Sequence, residues 1–411
     1  MTTARTLRVR QPEETVERMR PYFGDVGITR VADLTGLDVV GIPVLSAIRP
    51  NARSLSVSQG KGATYDAAMA SAVMESIEYW HAERPSCQLR YDSWHGLVGE
   101  MGPDAIIDVE RLPRRGSLDG LDAFSPRTRA RARFDPHLPS LWVEATSLYT
   151  GSPCWTPFET VHLNKVGYSY ETATFRVSSN GLASGNTEDE ALLHALCELV
   201  ERDAVARWWT ALRSSRDIAD AAVDVKDLED DLCSGLVDTL AAAGVRLALL
   251  DISSPHGLPV FQACLLDQKP RPYGMPLGPC WGYGAHPFAE VAAARAITEA
   301  AQTRVTSIAG AREDNFVTHY RRHHGVSHRR ATERLFFGCP AGPVKPHVCF
   351  DGSSAGEGTQ MVLRELKRHA VGDIVAVDLS RLPGVAVTKV IAPGLRHFSA
   401  FRDLRESGQV R

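Results

Sequence analysis

Apolar and polar residues follow two different periods along this 411-residue chain, and the two periods predict helices and strands in mixed order. Helical spacing of apolar residues predicts helices from about Asp66 to Glu83, behind a loop at residues 180–186, and from Ala289 to Ser307. β-Branched runs predict strands at WVEATSLYT and a β-hairpin from VRLALLDIS and LPVFQACLLD. This mixture predicts an α/β or α+β fold in one compact unit.

Two further segments give weaker local signals. PHVCFDGSSAGEGTQ predicts a strand, a turn and a helix, and VAVTKVIAPGL predicts a late strand. Residues 110–135 are rich in Arg, Pro and Gly, which is typical of a loop. No internal repeat interrupts the pattern.

The helix behind the loop at residues 180–186 carries acids on one side. At about 100° per residue, Glu190, Glu198 and Glu201 share one face. The opposite arc is apolar and is predicted to pack on the core, with Leu192, Leu193, Leu196, Leu199 and Val200. Two alternatives stay open for the acids. They form a solvated acidic face, or Glu190 is the fourth residue of a capping box that begins at Thr187.

Acids also occur on the two other long helices. Glu75 and Glu78 are neighbours at a spacing of three in an otherwise apolar helix. Arg295, Glu299 and Gln302 form a polar stripe on an Ala-rich helix. Carboxylates that converged without cations would repel each other and raise their pKa values. Mg²⁺ resolves this conflict, because it prefers a few carboxylates completed by waters and substrate phosphates.

Arginines and a glycine-rich segment supply the phosphate side of this hypothesis. Guanidinium groups match phosphate oxygens, and the candidates are Arg202, Arg295 and Arg304. Residues 181–186 are expected to expose backbone N–H groups at a helix N-terminus, which is an anion site. The segment SQGKGAT lacks the full Walker pattern. The sequence therefore predicts a nucleotide–magnesium site without a P-loop.

Composition narrows the class of protein. With 44% apolar residues, 23% charged residues and a net charge of −3, the chain has the profile of a globular protein with no nucleic-acid partner. It contains no signal peptide and no apolar run near the length of a membrane span, so a cytoplasmic protein without membrane attachment is expected. The spacing of the eight cysteines matches neither a zinc knuckle nor a redox pair, so they are expected to be buried free thiols.

Three long motifs in order resemble the YcaO family. They are VSQGKGATYDAAMASAVMESIEYW, SNGLASGNTEDEALLHALCELVERDA and GYGAHPFAEVAAARAITEAAQTRVTSIAGAREDN. The resemblance covers most of the chain from about Val57 onward. It implies a single large mixed α/β domain that binds ATP without a P-loop, over residues 58–411, with residues 1–57 as a lead-in packed on the core.

The resemblance also implies roles for individual residues. The implied Mg²⁺ ligands or their immediate surroundings are Glu75, Glu78, Glu190, Glu198, Glu201 and Glu299. The implied phosphate contacts are Asn186, Arg202 and Arg295, and Lys61 and Arg304 complete the expected ATP contacts. Glu201 and Arg295 are the residues expected to be catalytic. The resemblance also implies a basic residue and a hydroxyl near the nucleoside, for which Arg8 or Arg10 and Thr15 are the candidates.

YcaO proteins activate a peptide-bond oxygen by ATP-dependent phosphorylation so that a nucleophile replaces it. Azoline-forming members often end in a PxPxP tail, whereas this chain ends FRDLRESGQVR. The lead-in GITRVADLTGLDVVGIPV resembles the branch that forms thioamides with a TfuA-type partner. We therefore expect thioamidation of a peptide or protein, with a TfuA-type protein and a sulfide donor as partners. A homodimer is left open.

Other functions remain alternatives. Within the family, they are an azoline- or amidine-forming cyclodehydratase and an accessory factor in ribosomal protein methylthiolation. GSSAG satisfies the nucleophile-elbow pattern, with Ser354 followed by Asp378 and His397 in the order of a serine hydrolase. A non-catalytic peptide-binding scaffold is the remaining alternative.

Overall fold

The computed structural model describes residues 6–114, 133–166, 173–212, 215–269, 277–312 and 326–396. Within these ranges the chain divides into two compact units. Unit 1 contains residues 1–51, 55–76 and 211–354, and unit 2 contains residues 52–54, 77–210 and 355–411. The predicted boundary after residue 57 stays a prediction.

The helices of the described residues are interspersed with strands along the chain. They are α1 (Pro12–Met19), α2 (Phe23–Val26), α3 (Tyr65–Glu83), α4 (Trp94–Met101), α5 (Glu188–Ala211), α6 (Ser215–Ala221), α7 (Asp231–Ala242), α8 (Ala289–Ala309), α9 (Val326–Phe336) and α10 (Ala355–Arg368). The predicted helices around residues 66–83 and 289–307 are confirmed as α3 and α8, and the helix behind the loop is confirmed as α5.

Unit 1 contains two antiparallel sheets within the described residues. The first has the order β1-β2-β3 and the second the order β11-β10-β9-β8. The strands are β1 (Arg30–Asp33), β2 (Val44–Ile48), β3 (Val57–Lys61), β8 (Ala222–Val223), β9 (Val245–Asp251), β10 (Val260–Asp267) and β11 (Cys280–Ala285). Because β9 and β10 pair antiparallel with Phe261 opposite Asp251, the predicted hairpin is confirmed.

Unit 2 is built on one antiparallel sheet with the order β4-β5-β12-β13-β7, and β6 adds to β5. The strands are β4 (Leu89–Asp92), β5 (Ser140–Ser147), β6 (Pro153–Pro157), β7 (Leu182–Gly185), β12 (Val375–Asp378) and β13 (Ala386–Ile391). Strands at WVEATSLYT and VAVTKVIAPGL are therefore confirmed as β5 and β13. In the register, Lys389 of β13 lies opposite Leu182 of β7.

Glycines allow α8 to lie directly on the sheet of unit 1. A Cβ added at Gly282 of β11 would meet Ala296 O and Ala300 N of α8 at 2.2 Å. A Cβ at Gly284 would meet Ala292 O at the same distance. Such close approach of backbones is open only to glycine. The core formed here buries the Ala-rich face of α8 together with all of β10.

One predicted strand is wrong. Residues 343–353, which include the HVCFD run, have no helical or strand hydrogen bonding, and α10 begins at Ala355. The run contains His347 and Phe350, whose rings make side-chain contacts instead of a ladder. The mixed α and β fold as a whole is confirmed.

Candidate functional site

Helix α5 is buried on both its apolar and its acidic sides. The predicted apolar arc is confirmed, since all five of its side chains are buried. Glu190 and Glu201 are only 2% and 5% exposed, and Glu198 is half-buried. Burying a carboxylate is costly unless hydrogen bonds or cations compensate. A solvated acidic face is therefore wrong for this helix.

Backbone N–H groups of residues 181–184 hold two of the acids. The N–H of Gly181 donates to Oε2 of Glu198 at 3.0 Å. The N–H and the hydroxyl of Ser184 both donate to Oε1 of Glu78, at 2.9 and 2.8 Å. The expectation that this segment is an exposed anion loop is wrong here, because its donors bind the protein's own carboxylates.

Glu190 forms the cap of its own helix. Its Oε2 accepts from the backbone N–H of Asn186 at 2.9 Å and from the side-chain amide of Asn186 at 3.1 Å. Its backbone N–H donates to Oγ1 of Thr187 at 3.3 Å. This arrangement is close to the capping-box alternative, in which a hydroxyl and a carboxylate satisfy the first N–H groups of a helix.

A buried lysine accompanies the acids of α5, and the sequence analysis missed it. Lys389 of β13 is 3% exposed, and its Nζ donates to the carbonyls of Ser178 at 2.6 Å and Asn180 at 2.7 Å. Burial lowers the pKa of Lys389 to about 8, while the negative charge of Glu198 acts in the opposite direction. The available signal was one lysine inside the apolar run VAVTKVIAP.

Arg202 lies one turn after Glu198 on α5. Its Nη2 is 3.5 Å from Oε1 of Glu198, and its side chain is 42% exposed. The pair is thus open to solvent on the arginine side and contributes little to stability. An exposed guanidinium beside a positioned carboxylate is suited to bind a phosphate oxygen.

In unit 1, the polar stripe of α8 is present as predicted. Arg295, Glu299 and Gln302 are half-buried on a helix that is otherwise mostly buried between residues 292 and 306. The ammonium group of Lys61 at the end of β3 contacts the Glu299 carboxylate. In the same unit, Oε2 of Glu75 accepts from the backbone N–H of Gln59 at 2.9 Å.

Two arginines of unit 1 act on the same histidine. Burial lowers the pKa of His286 to about 3, and the positive charges of Arg295 and Arg8 lower it further. Arg8 and Arg295 thus both influence one imidazole, and the role of Arg8 near the nucleoside stays a prediction. Thr15 is buried, and its hydroxyl donates to the Gln11 carbonyl within the first helix at 3.2 Å.

Arg304 lies apart from the half-buried stripe of α8. Its side chain is 0% exposed, and it donates to Asp38 at 2.7 and 3.1 Å and to Asp267 at 3.0 Å. These hydrogen bonds raise the pKa of Arg304 against the effect of burial. The guanidinium is committed to two buried carboxylates, which corrects the expectation that it contacts a phosphate.

The serine-hydrolase alternative lacks its required local structure. A nucleophile elbow places the serine on a sharp turn between a strand and a helix. Residues 343–353 form no strand before Ser354, although α10 follows it directly. Asp378 lies in β12, and His397 is outside the described residues. The elbow predicted from GSSAG is therefore wrong.

The chemistry of the donor set fits Mg²⁺. Glu78 and Glu198 present hard carboxylate oxygens, and each accepts from a backbone N–H, a neutral donor that orients the carboxylate. In the described part of the chain, no three His, Cys, Asp or Glu side chains are arranged to hold a metal by themselves. Mg²⁺ typically completes its coordination with waters and phosphates.

The cysteines and the long helices were also the subject of predictions. All eight cysteines are free, and most are buried, although Cys349 is exposed. No helix of the described residues has both the length and the apolar character needed to cross a membrane.

Comparison with known proteins identifies the family. Residues 59–396 match the model of the YcaO cyclodehydratases, a family described as ATP- and Mg²⁺-binding. A protein of Rhizobium leguminosarum bv. trifolii, named only as an uncharacterized protein in the tfuA 3′ region, is 35% identical over 93% of this chain and 87% of its own length. The chain belongs to the YcaO family. ATP and Mg²⁺, the predicted cofactors, are the cofactors of that family.

Solved structures show the same fold at low sequence identity. A heterocyclase in complex with substrate and cofactor matches 98% of this chain with a TM-score of 0.77 and 22% identity, and the match spans 55% of that longer chain. YcaO from Methanopyrus kandleri, bound with AMPPCP and Mg²⁺, matches 94% of this chain and 92% of its own, with a TM-score of 0.63 and 22% identity.

Proposed function

We propose that this protein uses ATP and Mg²⁺ to phosphorylate the oxygen of a peptide-bond amide, and that sulfide then replaces that oxygen to give a thioamide. The observation that carries the proposal is the way Glu78 and Glu198 are held by backbone donors at residues 181–184. This arrangement keeps negatively charged oxygens in fixed positions inside a chain of an ATP- and Mg²⁺-binding family.

Residue roles follow from these contacts. Glu78, Glu198 and the buried Glu201 are proposed as Mg²⁺ ligands, and Arg202 as a phosphate contact. Mg²⁺, when bound, neutralises phosphate charge and supports in-line transfer. The residues predicted in unit 1, which are Lys61, Glu75, Arg295 and Glu299, remain proposed ligands and phosphate contacts. Glu190 and Asn186 are assigned to the helix cap that fixes the start of α5.

The chemistry balances without a redox partner. The amide oxygen attacks the γ-phosphorus of ATP, ADP leaves, and the amide nitrogen loses its proton. Hydrosulfide adds to the amide carbon, and phosphate leaves with the original oxygen and the electrons of the C–O bond. The proton from sulfur then replaces the one lost from nitrogen. Activation is needed because an amide oxygen is otherwise a poor leaving group.

The name of one relative supports sulfide as the nucleophile, and therefore thioamide formation, over the other nucleophiles. The name of the Rhizobium leguminosarum protein places it in the 3′ region of tfuA, and it resembles this chain over nearly its whole length. We therefore propose a TfuA-type protein as the partner that helps deliver sulfide to the activated amide. The substrate class is a peptide or protein backbone.

Intact-mass analysis tests this proposal. Candidate peptides are incubated with the full chain, ATP, Mg²⁺, sulfide and a TfuA-type protein. The expected result is a mass increase equal to the difference between sulfur and oxygen, which requires ATP and disappears in Glu198→Gln. Loss of one water instead would identify azoline formation, the activity in the family's name, and would refute the sulfide step. Modification without ATP would overturn the proposal altogether.

A further inference from the structure

Lys389 is the buried cation of the β13 strand, and neither the motifs nor the family description assigns it a role. A lysine ammonium is rarely buried unless its charge and its N–H groups find partners. Two of the three Nζ–H bonds go to the carbonyls of Ser178 and Asn180. Both carbonyls belong to the segment that leads into β7.

The same segment presents the donor that holds Glu198. The backbone N–H of Val390, next to Lys389, donates to the Gly181 carbonyl at 2.8 Å. Gly181 has φ of +76°, and a Cβ there would lie 2.2 Å from the Val390 carbonyl oxygen. The N–H of Gly181 then reaches Oε2 of Glu198 at 3.0 Å. Strand β13 thus fixes residues 178–181 by three hydrogen bonds, of which Lys389 provides two.

Electrostatics support the same connection. The negative charge of Glu198 favours the protonated form of Lys389, so the carboxylate and the ammonium stabilise each other. An apolar side chain at this position would satisfy neither the two carbonyls nor this carboxylate. The chain therefore keeps a buried charge where an apolar residue would otherwise suit the strand.

We infer that Lys389 is a positioning residue for the magnesium site: by fixing residues 178–181 it aims the Gly181 N–H and thereby sets the orientation of the Glu198 carboxylate. This inference rests on the proposed function. Groups that orient metal ligands through hydrogen bonds typically change metal affinity about 10- to 100-fold when they are removed. Lys389 acts through Glu198 and not on the substrate.

The test compares metal dependence in Lys389→Met, Lys389→Arg and Thr388→Val. Binding of a non-hydrolysable ATP analogue is measured by calorimetry across a Mg²⁺ series, and Mn²⁺ binding is measured by electron paramagnetic resonance. For Lys389→Met we expect the Mg²⁺ concentration at half-saturation to rise about ten-fold. Lys389→Arg, which keeps a charged donor, is expected to recover most of that loss.

Thr388→Val is the matched control. Thr388 is buried on the same strand, and its hydroxyl donates to the Val377 carbonyl. Its loss is expected to lower the melting temperature without changing the Mg²⁺ dependence. If Lys389→Met does not fold, Lys389→Gln replaces it, because the neutral and shorter glutamine side chain cannot hold both carbonyls as the ammonium does; a rise in the same direction is expected.

The outcomes separate two failures. Wild-type Mg²⁺ dependence in a folded Lys389→Met or Lys389→Gln protein would overturn the role of Lys389 and leave the proposed function intact. Absence of Mg²⁺-dependent nucleotide binding in the wild-type chain would instead overturn the proposed function. A metal-affinity loss that Thr388→Val reproduces would show that strand β13 acts only through general stability.

Discussion

Acidic residues of α5 and of α8 are stabilised in different ways. On α5, Glu198 accepts from a neutral backbone N–H, and the neighbouring Arg202 approaches only to 3.5 Å with an exposed side chain. On α8, Glu299 contacts the ammonium of Lys61 directly. A neutral donor orients a carboxylate, and Glu299 also has one, the backbone N–H of Tyr283 at 3.4 Å, but a lysine in direct contact adds an opposite charge. We therefore expect a larger effect from a substitution at Glu198 of α5 than from loss of the Lys61–Glu299 pair of α8, and both glutamates remain proposed magnesium ligands.

The largest expected effect comes from neutralising a backbone-held acid. Glu198→Gln keeps an oxygen that accepts from Gly181 but removes the negative charge, so ATP turnover should fall by at least about 100-fold. A phosphate-release assay measures the change. Glu188→Gln is the control, because Glu188 is exposed in the first turn of the same helix. Equal ATP turnover in Glu198→Gln and the control would contradict the proposal that the charge of Glu198 on α5 is needed for activity.

A buried histidine makes the stability of unit 2 sensitive to acid. Burial lowers the pKa of His81 to about 4 from 6.5, so the unfolded chain binds more protons between these values. This histidine's contribution to stability is complete above pH 6.5 and is lost as pH falls toward 4. The loss corresponds to about 3 kcal/mol.

Urea unfolding at a series of pH values measures this effect. His81→Asn keeps a donor for the Ile77 carbonyl, which lies 2.8 Å from Nδ1 of His81, but does not titrate. The slope of stability against pH below 6.5 should therefore decrease in this variant. An unchanged slope would show that His81 is not the buried neutral group inferred here.

A smaller effect is expected where the backbone donor itself is altered. In Gly181→Ala, the positive φ and the contact with Val390 both oppose a Cβ, and the cost should be about 1–3 kcal/mol. Gly151→Ala is the matched control, since Gly151 has φ of +72° and open space around it, and it should cost about 1 kcal/mol. Similar urea midpoints for the two variants would contradict the close packing of Gly181 on β13.

The smallest effect is expected for the Lys61–Glu299 ion pair, which involves α8. Lys61→Met leaves the Glu299 carboxylate without its ammonium partner, which should raise the KM for ATP about five-fold or less and leave kcat nearly unchanged. Lys165→Met, at an exposed lysine, provides the control for loss of one positive charge. A fall in kcat as large as that of Glu198→Gln would place Lys61 and Glu299 in the catalytic step.

Sequence alone determined the elements whose signals are local. The helical period located α3, α5 and α8, and the apolar arc around Leu196 was identified because side chains four residues apart share a helix face. The order of the motifs gave the family, and family membership gave the cofactors. HVCFD was misjudged because a short apolar run packs equally well as an irregular segment held by aromatic contacts.

Tertiary structure decided which partner each charged group received. Arg304 pairs with Asp38, which is 266 positions away, and Lys389 binds Asn180 across 209 positions. No periodicity contains such information, because these partners meet only after the sheets have formed. The glutamates on the acidic face of α5 were visible in the sequence, but the backbone N–H that orients Glu198 is placed by the pairing of the chain around β7 with β13. Residue type thus fixed which groups carry charge, and the fold fixed whether that charge is cancelled or kept.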